Sequence, residues 1–246
     1  MSRATCYRCF WPQAHCWCEQ IVPMGTATRY VLLMHPKEFR REKANTGRLT
    51  HLCLSNSEII QGVAFDDHPR VKAVLADPSK HVVLLYPGDE AVNLSLSPTS
   101  PVTPPGKELV VLLLDATWSC ARKMLKMSPS LQRLPRIMFT PSTPSRYVIK
   151  QQPFNGCLST LESVHEVLTA LAARGEDRYE LPRQLLEIFD RMQQFQIKCA
   201  VDPNLGGYRR QPYKPAGERK PFTGKSSRRR ANLFRFGDQP EAEASD

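Results

Sequence analysis

Six consecutive apolar residues, Leu109-Val110-Val111-Leu112-Leu113-Leu114, run directly into Asp115-Ala116-Thr117-Trp118. A run this short and this apolar is a strand buried on both faces, the kind found in parallel sheets covered by helices. The basic segment Ser119 to Leu125, with Arg122 and Lys123, then reads as a helix, so the sheet is laid down by strand–helix alternation. In open α/β sheets, ligands bind beyond the carboxyl ends of the strands. Asp115, Thr117 and Trp118 occupy that place and are candidate site residues. The plain alternative is that Asp115 and Thr117 cap or brace the following helix, and that Trp118 is a core residue.

The same alternation extends through the chain. Tyr30–Met34 and His81–Tyr86 read as strands, and Ile137–Phe139 and Tyr147–Ile149 as shorter ones. Asn45–Leu54 and His68–Ala76 read as helices, the second with Pro69 in its first turn. Ser159–Arg174 carries Leu161, Val164, Val167, Leu168 and Leu171 at helical spacing, and Gly175 follows as a stop. Leu185–Val201 is a second amphipathic helix. The four prolines between Ser95 and Gly106 require a loop. The expectation is an α/β domain over 25–201 with a mainly parallel sheet flanked by helices. His35 and Glu38 follow the first strand, again a favoured site position. Asn45 and Thr46 suit a helix start, and Arg40, Arg41 and Lys43 suit phosphate contacts or a solvated face.

Ahead of this domain, residues 1–24 hold Cys6, Cys9, Cys16 and Cys18 in a C-x2-C-x6-C-x-C pattern with Phe10, Trp11 and Trp17. Four thiolates suit a closed, structural zinc site; His15 is an alternative ligand, and the spacing matches no ferredoxin pattern. The alternative is a set of surface thiols. The remaining cysteines, Cys53, Cys120, Cys157 and Cys199, are scattered and read as small buried hydrophobes. No apolar run reaches membrane-spanning length, and Met1-Ser2-Arg3-Ala4 lacks a signal-peptide core. A cytoplasmic protein with metal-bound or free thiols is expected. The net charge is +10, and ten Lys/Arg against one acid fall between Tyr208 and Phe236. A basic body with a more basic, flexible tail over 202–246 suits a polyanionic partner, with no membrane or protein partner inferred.

Four blocks in order carry a resemblance. They are the cysteine cluster; His35-Pro36-Lys37-Glu38 with Asn45-Thr46-Gly47-Arg48-Leu49; Asp115-Ala116-Thr117-Trp118 with Ala121-Arg122-Lys123-Met124; and Ser159-Thr160-Leu161-Glu162. Together, from about Cys6 to Val201, they resemble the DTW-domain family of tRNA-uridine aminocarboxypropyltransferases. One departure stands out: the family's Tyr-Arg-x-Arg is replaced by Tyr147-Val148-Ile149-Lys150.

The resemblance implies a SPOUT-like fold with a C-terminal trefoil knot, which sequence rules alone would reject. It implies S-adenosylmethionine as co-substrate, held by Tyr86, Pro87, Gly88, Asp115, Gly156, Leu158, Ser159 and Thr160. No G-x-G-x-x-G follows a strand, so an ordinary dinucleotide-type site is not expected. It also implies transfer of the donor's 3-amino-3-carboxypropyl group to N3 of a tRNA uridine. In that reading Asp115, Thr117 and Trp118 are catalytic, and zinc is structural. His35, Glu38, Arg41, Asn45, Thr46, Arg122 and Lys123 then contact RNA. Ser159 to Glu162 is also a capping box, which explains both residues without catalysis. Two alternatives are a methyltransferase of the same broad fold using the same donor, and a zinc-containing RNA-binding protein without catalysis.

Overall fold

The computed structural model describes residues 4–41, 45–96, 101–150 and 157–202, with residue 218. Gly156, and the expected tail apart from Asp202 and Glu218, lie outside the described residues. The centre is a six-stranded sheet built from β1 (Arg29–Met34), β2 (Ser57–Gln61), β3 (Lys80–Leu85), β4 (Val92–Asn93), β5 (Glu108–Asp115) and β6 (Arg136–Met138). The order is β2-β1-β5-β3-β6-β4, and every pairing is parallel. The apolar run that opened the sequence reading is β5, between β1 and β3.

Side chains alternate across a strand, and β5 shows what this does. Leu109, Val111 and Leu113 join the larger core cluster on one face, while Val110 and Leu112 join a second cluster on the other. The larger face is covered by α2 (Thr46–Cys53), α6 (Thr160–Ala173) and α7 (Gln184–Val201). The opposite face is covered by α3 (Pro69–Ala76), α4 (Trp118–Lys126) and α5 (Pro129–Gln132). Each buried Leu or Val stabilises this three-layer stack by roughly 1.5–3 kcal/mol. None of the described helices is long and apolar enough to cross a membrane.

The strand and helix starts follow the local chemistry. Asn45 caps α2 by accepting the Arg48 N–H at 2.6 Å. Ser159 and Glu162 form the reciprocal capping box of α6. Three readings change. Tyr147–Ile149 is not a strand. Its backbone is held by side chains instead: Gln193 of α7 accepts the Val148 N–H at 2.6 Å and donates to the Arg146 carbonyl at 3.0 Å. Pro36 does not only end β1 but opens the short helix α1 (Pro36–Arg41). Cys120 is half-buried, unlike Cys53, Cys157 and Cys199, which are buried.

The chain leaves β1 toward β2 at one edge and leaves β5 toward β6 on the other side. The adjacent carboxyl ends of β1 and β5 therefore form a topological switch point, where α/β sheets open a crevice for ligands. His35 and Asp115 stand there. The His35 N–H donates to the Asp115 carbonyl at 3.0 Å, adding one rung beyond the Met34–Asp115 register.

Candidate active site and metal centre

Asp115 is the last residue of β5, and strand parity puts its side chain on the face of Leu109, Val111 and Leu113, beneath α2 and α6. It is only 5% exposed. Oδ1 accepts a 2.6 Å hydrogen bond from the Thr160 hydroxyl, in the first turn of α6. Oδ2 lies against Gly47, in the first turn of α2: a Cβ built on Gly47 would stand 2.2 Å from it. Two helix N-termini thus converge on one carboxylate, a favourable place for negative charge. Oδ2 has no hydrogen bond of ordinary geometry among the described residues, although the Asn45 side chain is close enough to favour the charged form. A buried acceptor with an unused lone pair is costly unless a ligand or a proton completes it.

Burial is the largest influence on Asp115 and pushes its carboxyl above the ordinary aspartate range. The Thr160 and Asn45 side chains and the positive charges of Lys150 and Arg48 pull the other way. Lys150 replaces the second arginine of the resemblance, and its ammonium still bears on the carboxylate. Neither Asp115 nor Thr117 makes a side-chain cap on α4, so the capping alternative does not explain them. A carboxyl whose pKa burial raises, with one oxygen lacking a hydrogen-bond partner among the described residues, is suited to accept a proton from a bound molecule.

The other sequence candidates lie on the neighbouring strand ends and helices. His35 is half-buried, and its Nδ1 accepts the Lys37 N–H at 3.1 Å, which leaves Nε2 to carry the proton in a neutral ring. Burial, then Lys37 and Lys123, lower its pKa. Glu38 is half-buried on α1, whose last residue is Arg41. Asn45 and Thr46 are buried at the start of α2. Thr117 is exposed, Trp118 and Arg122 are half-buried, and Lys123 is exposed. Tyr86, Pro87 and Gly88 follow β3, next to β5, with the Arg136 guanidinium 5.5 Å from the Tyr86 ring centre. A Cβ on Gly88 would meet that guanidinium at 3.0 Å. Leu158 is half-buried and Ser159 buried at the start of α6. The structure therefore joins Asp115, Asn45, Ser159 and Thr160 closely, and sets His35 on the neighbouring strand end.

Sequence reasoning missed four residues here. Gly47 was read only as part of a helix start, yet its bare Cα is what admits the carboxylate. Arg48 is buried, donates to the Phe39 carbonyl at 2.9 Å, and lies 4.0 Å from the Phe10 and 4.8 Å from the Phe39 ring centres. Arg136 covers the loop after β3. Glu162 does more than cap α6: it also accepts the Arg146 N–H at 2.6 Å and the Ser145 hydroxyl at 3.0 Å, tying down the loop that carries Lys150. Gly47→Ala should be destabilising by about 1–3 kcal/mol through overpacking. That corresponds to a Tm loss of roughly 2–12 °C in a domain of this size. Gly25→Ala, with nothing within 4 Å of the new methyl, is the control and should leave Tm in place.

The sulfurs of Cys6, Cys9, Cys16 and Cys18 all lie within 4.8 Å of one another. Cys6 and Cys18 are 3.8 Å apart, and Cys9 and Cys16 are 3.7 Å apart. A tetrahedral zinc with bonds of about 2.3 Å implies sulfur separations of about 3.8 Å, so the residues fit. Without a cation the cluster is frustrated. The Cys9 N–H brings the Cys6 thiol down to about 6, while burial and neighbouring sulfurs raise Cys16 and Cys18. His15 is not in the cluster; its ring lies 4.6 Å from that of Phe195. The knuckle is no loose appendage. Trp11, 1% exposed, and Trp17 belong to the same core cluster as α6 and α7, and both rings pack edge-on to Phe195.

Residues 3–197 match the family model described as DTW domain. The chain is 31% identical over 190 residues to tRNA-uridine aminocarboxypropyltransferase 2 of Drosophila melanogaster, covering 74% of this chain and 72% of that protein. It is 34% identical over 175 residues to the protein of the same name in Mus musculus, covering 69% of this chain and 57% of the mouse protein. It is 28% identical over 222 residues to tRNA-uridine aminocarboxypropyltransferase A of Arabidopsis thaliana, covering 80% and 82%. No solved structure matches the chain.

Proposed function

Since the chain belongs to the DTW domain family, we propose that it is a tRNA-uridine aminocarboxypropyltransferase that uses S-adenosylmethionine and acts on uridine N3 in the cytoplasm. The observation that carries this reading is the buried Asp115 carboxylate, with one oxygen held by Thr160 and the other without a hydrogen-bond partner among the described residues, at the switch point of a parallel sheet.

The donor offers a carbon made electrophilic by its sulfonium. Asp115 takes the N3 proton of the uracil at Oδ2, and the freed N3 pair forms the new bond to that carbon. The carbon–sulfur bond breaks, its electrons stay on sulfur, and neutral methylthioadenosine leaves. Three carbons surround a sulfonium, so the outcome depends on which one the protein holds in line with N3, which is catalysis by positioning. The loop after β3 and the N-terminus of α6 flank Asp115 and suit the donor, whose carboxylate fits exposed helix N–H groups. His35, neutral with its proton on Nε2, serves as a hydrogen-bond donor to the uracil or ribose. Lys37, Arg122 and Lys123 give the mouth a basic rim for phosphates. The four cysteines hold zinc for structure alone.

Nucleoside mass analysis of tRNA from cells lacking this protein tests the reading. The heavier uridine derivative should vanish and return when the wild-type chain is restored, but not the Asp115→Asn chain. An unchanged set of uridine nucleosides in the deletion cells contradicts it.

A further inference from the structure

Between the knuckle, α2 and the edge strand β2 lies a concavity of about 790 Å³. Its wall is made by the knuckle (Tyr7, Arg8, Phe10), α1 (Phe39), α2 (Arg48) and α3 (Arg70), with the edge strand β2 as its floor. We infer that this groove holds a single-stranded segment of the tRNA substrate, with bases stacked on the knuckle aromatics and phosphates on Arg8 and Arg70. The inference rests on the tRNA reading above and assigns where the acceptor strand runs beyond the reacting uridine.

Three observations point to it. Aromatic and basic side chains alternate along the wall, the combination that grips single strands without regard to sequence. Tyr7 is 94% exposed, an unusual state for a tyrosine with no covering partner in view, and Arg8 forms no ion pair among the described residues. The one acid of the wall, Glu58, is shared by Arg70 at 2.5 Å and Arg29 at 3.3 Å, so the local balance stays positive. The second observation is the backbone of Phe10. Its φ is +61°, the left-handed region, and it is the only non-glycine among the described residues that adopts it. Glycine is the residue that turn favours, and a bulky side chain there is strained. Yet Phe10 keeps its ring 41% exposed, edge-on to Phe39 at 5.7 Å and against the Arg48 guanidinium. A strained position that retains an exposed aromatic is a place to look for function.

The third observation is distance along α2. Arg48, the inner wall of the groove, directly follows Gly47, whose Cα rests on the Asp115 carboxylate, and the Arg48 and Asp115 charges act on each other. A strand lying in the groove therefore arrives beside the reacting centre. The volume admits a few nucleotides at most.

The test uses the full, zinc-loaded chain with Phe10→Gly, Tyr7→Ala and Arg8→Ala. Binding of unmodified tRNA is measured by fluorescence anisotropy from low to high salt, and binding of S-adenosylmethionine by calorimetry. Phe10→Gly suits the turn and should fold at least as well, with zinc content and donor affinity kept. Its tRNA Kd, and its KM for tRNA, should rise about ten-fold or more, the scale of one lost stacking contact. Tyr7→Ala should act the same way, and in both the salt slope should hold. Arg8→Ala should instead reduce the slope by about 0.7–0.9, one phosphate contact. Wild-type tRNA affinity in all three variants at every salt overturns the groove, even if the chain transfers normally, and would leave the concavity to a protein segment. A wild-type chain that binds tRNA through these residues but transfers nothing to it leaves the groove standing and breaks the proposed activity.

Discussion

Asp115→Asn should lower transfer by about 10²- to 10⁴-fold, the usual contribution of a positioned acid–base group, while the protein stays folded. The structural case for the second half is as strong as for the first. The amide keeps an acceptor for the Thr160 hydroxyl, and it carries no charge to be desolvated. The wild-type carboxyl is raised by burial above its unfolded value of about 3.9. Its contribution to stability is therefore fully present below the unfolded pKa and is lost as pH rises through the raised folded value. Above that folded value the ionised group burdens the fold, so there Asp115→Asn should melt at or above the wild-type temperature. The same shift predicts a pH–rate profile whose acid limb falls above the ordinary aspartate range, because the base works only when ionised. Thr160→Val, which removes the hydroxyl that donates to Oδ1, should reduce transfer and move that limb upward. A variant that turns over at the wild-type rate would make Asp115 a brace and nothing more.

Cys16→Ser should lower Tm by about 6–20 °C, an effect on the whole fold and not on the knuckle alone. Structural zinc contributes folding energy directly, and losing one of four ligands opens the site. The consequence spreads because the knuckle covers the main core. Trp11 and Trp17 pack with Phe195 of α7. Val22 also exchanges two hydrogen bonds with Gln184, at 2.8 and 2.7 Å. A loss of about 3–5 kcal/mol is about 6–20 °C in a domain of this size. Transfer should fall too, since Phe10 and Arg48 lose their frame beside α2. Chelation of the wild type should reproduce the variant, and Cys120→Ser, outside the cluster, should not. Purified protein without bound metal and with the wild-type melting curve would contradict this.

The sheet was legible wherever a strand is buried on both faces. The apolar run at β5 marks a buried strand and places Asp115 at its end. The edge strand β2, Ser57–Gln61, passed unnoticed because only Ile60 in it is buried, so no apolar run marks it. The two-residue β4 is too short to carry a pattern. Tyr147–Ile149 has the composition of a strand, but its Val148 N–H donates to the side chain of Gln193 on α7, a partner that no local pattern reveals. The capping box of α6 was readable because both of its partners lie within four residues. The role of Gly47 was not, because the carboxylate that needs its bare Cα is far away in sequence. For the same reason the four cysteines could be read as a cluster able to hold a metal, while the union of Trp11 and Trp17 with the main core stayed hidden.

The central claim is that a carbon chain, and not a methyl group, moves from the donor to tRNA. The most direct measurement gives the purified chain unmodified tRNA and S-adenosylmethionine labelled in either the carboxyl carbon or the methyl carbon. The account predicts that carboxyl label enters tRNA uridine, that methyl label stays out, and that methylthioadenosine accumulates. Methyl label in the tRNA, with S-adenosylhomocysteine as the by-product, would contradict it.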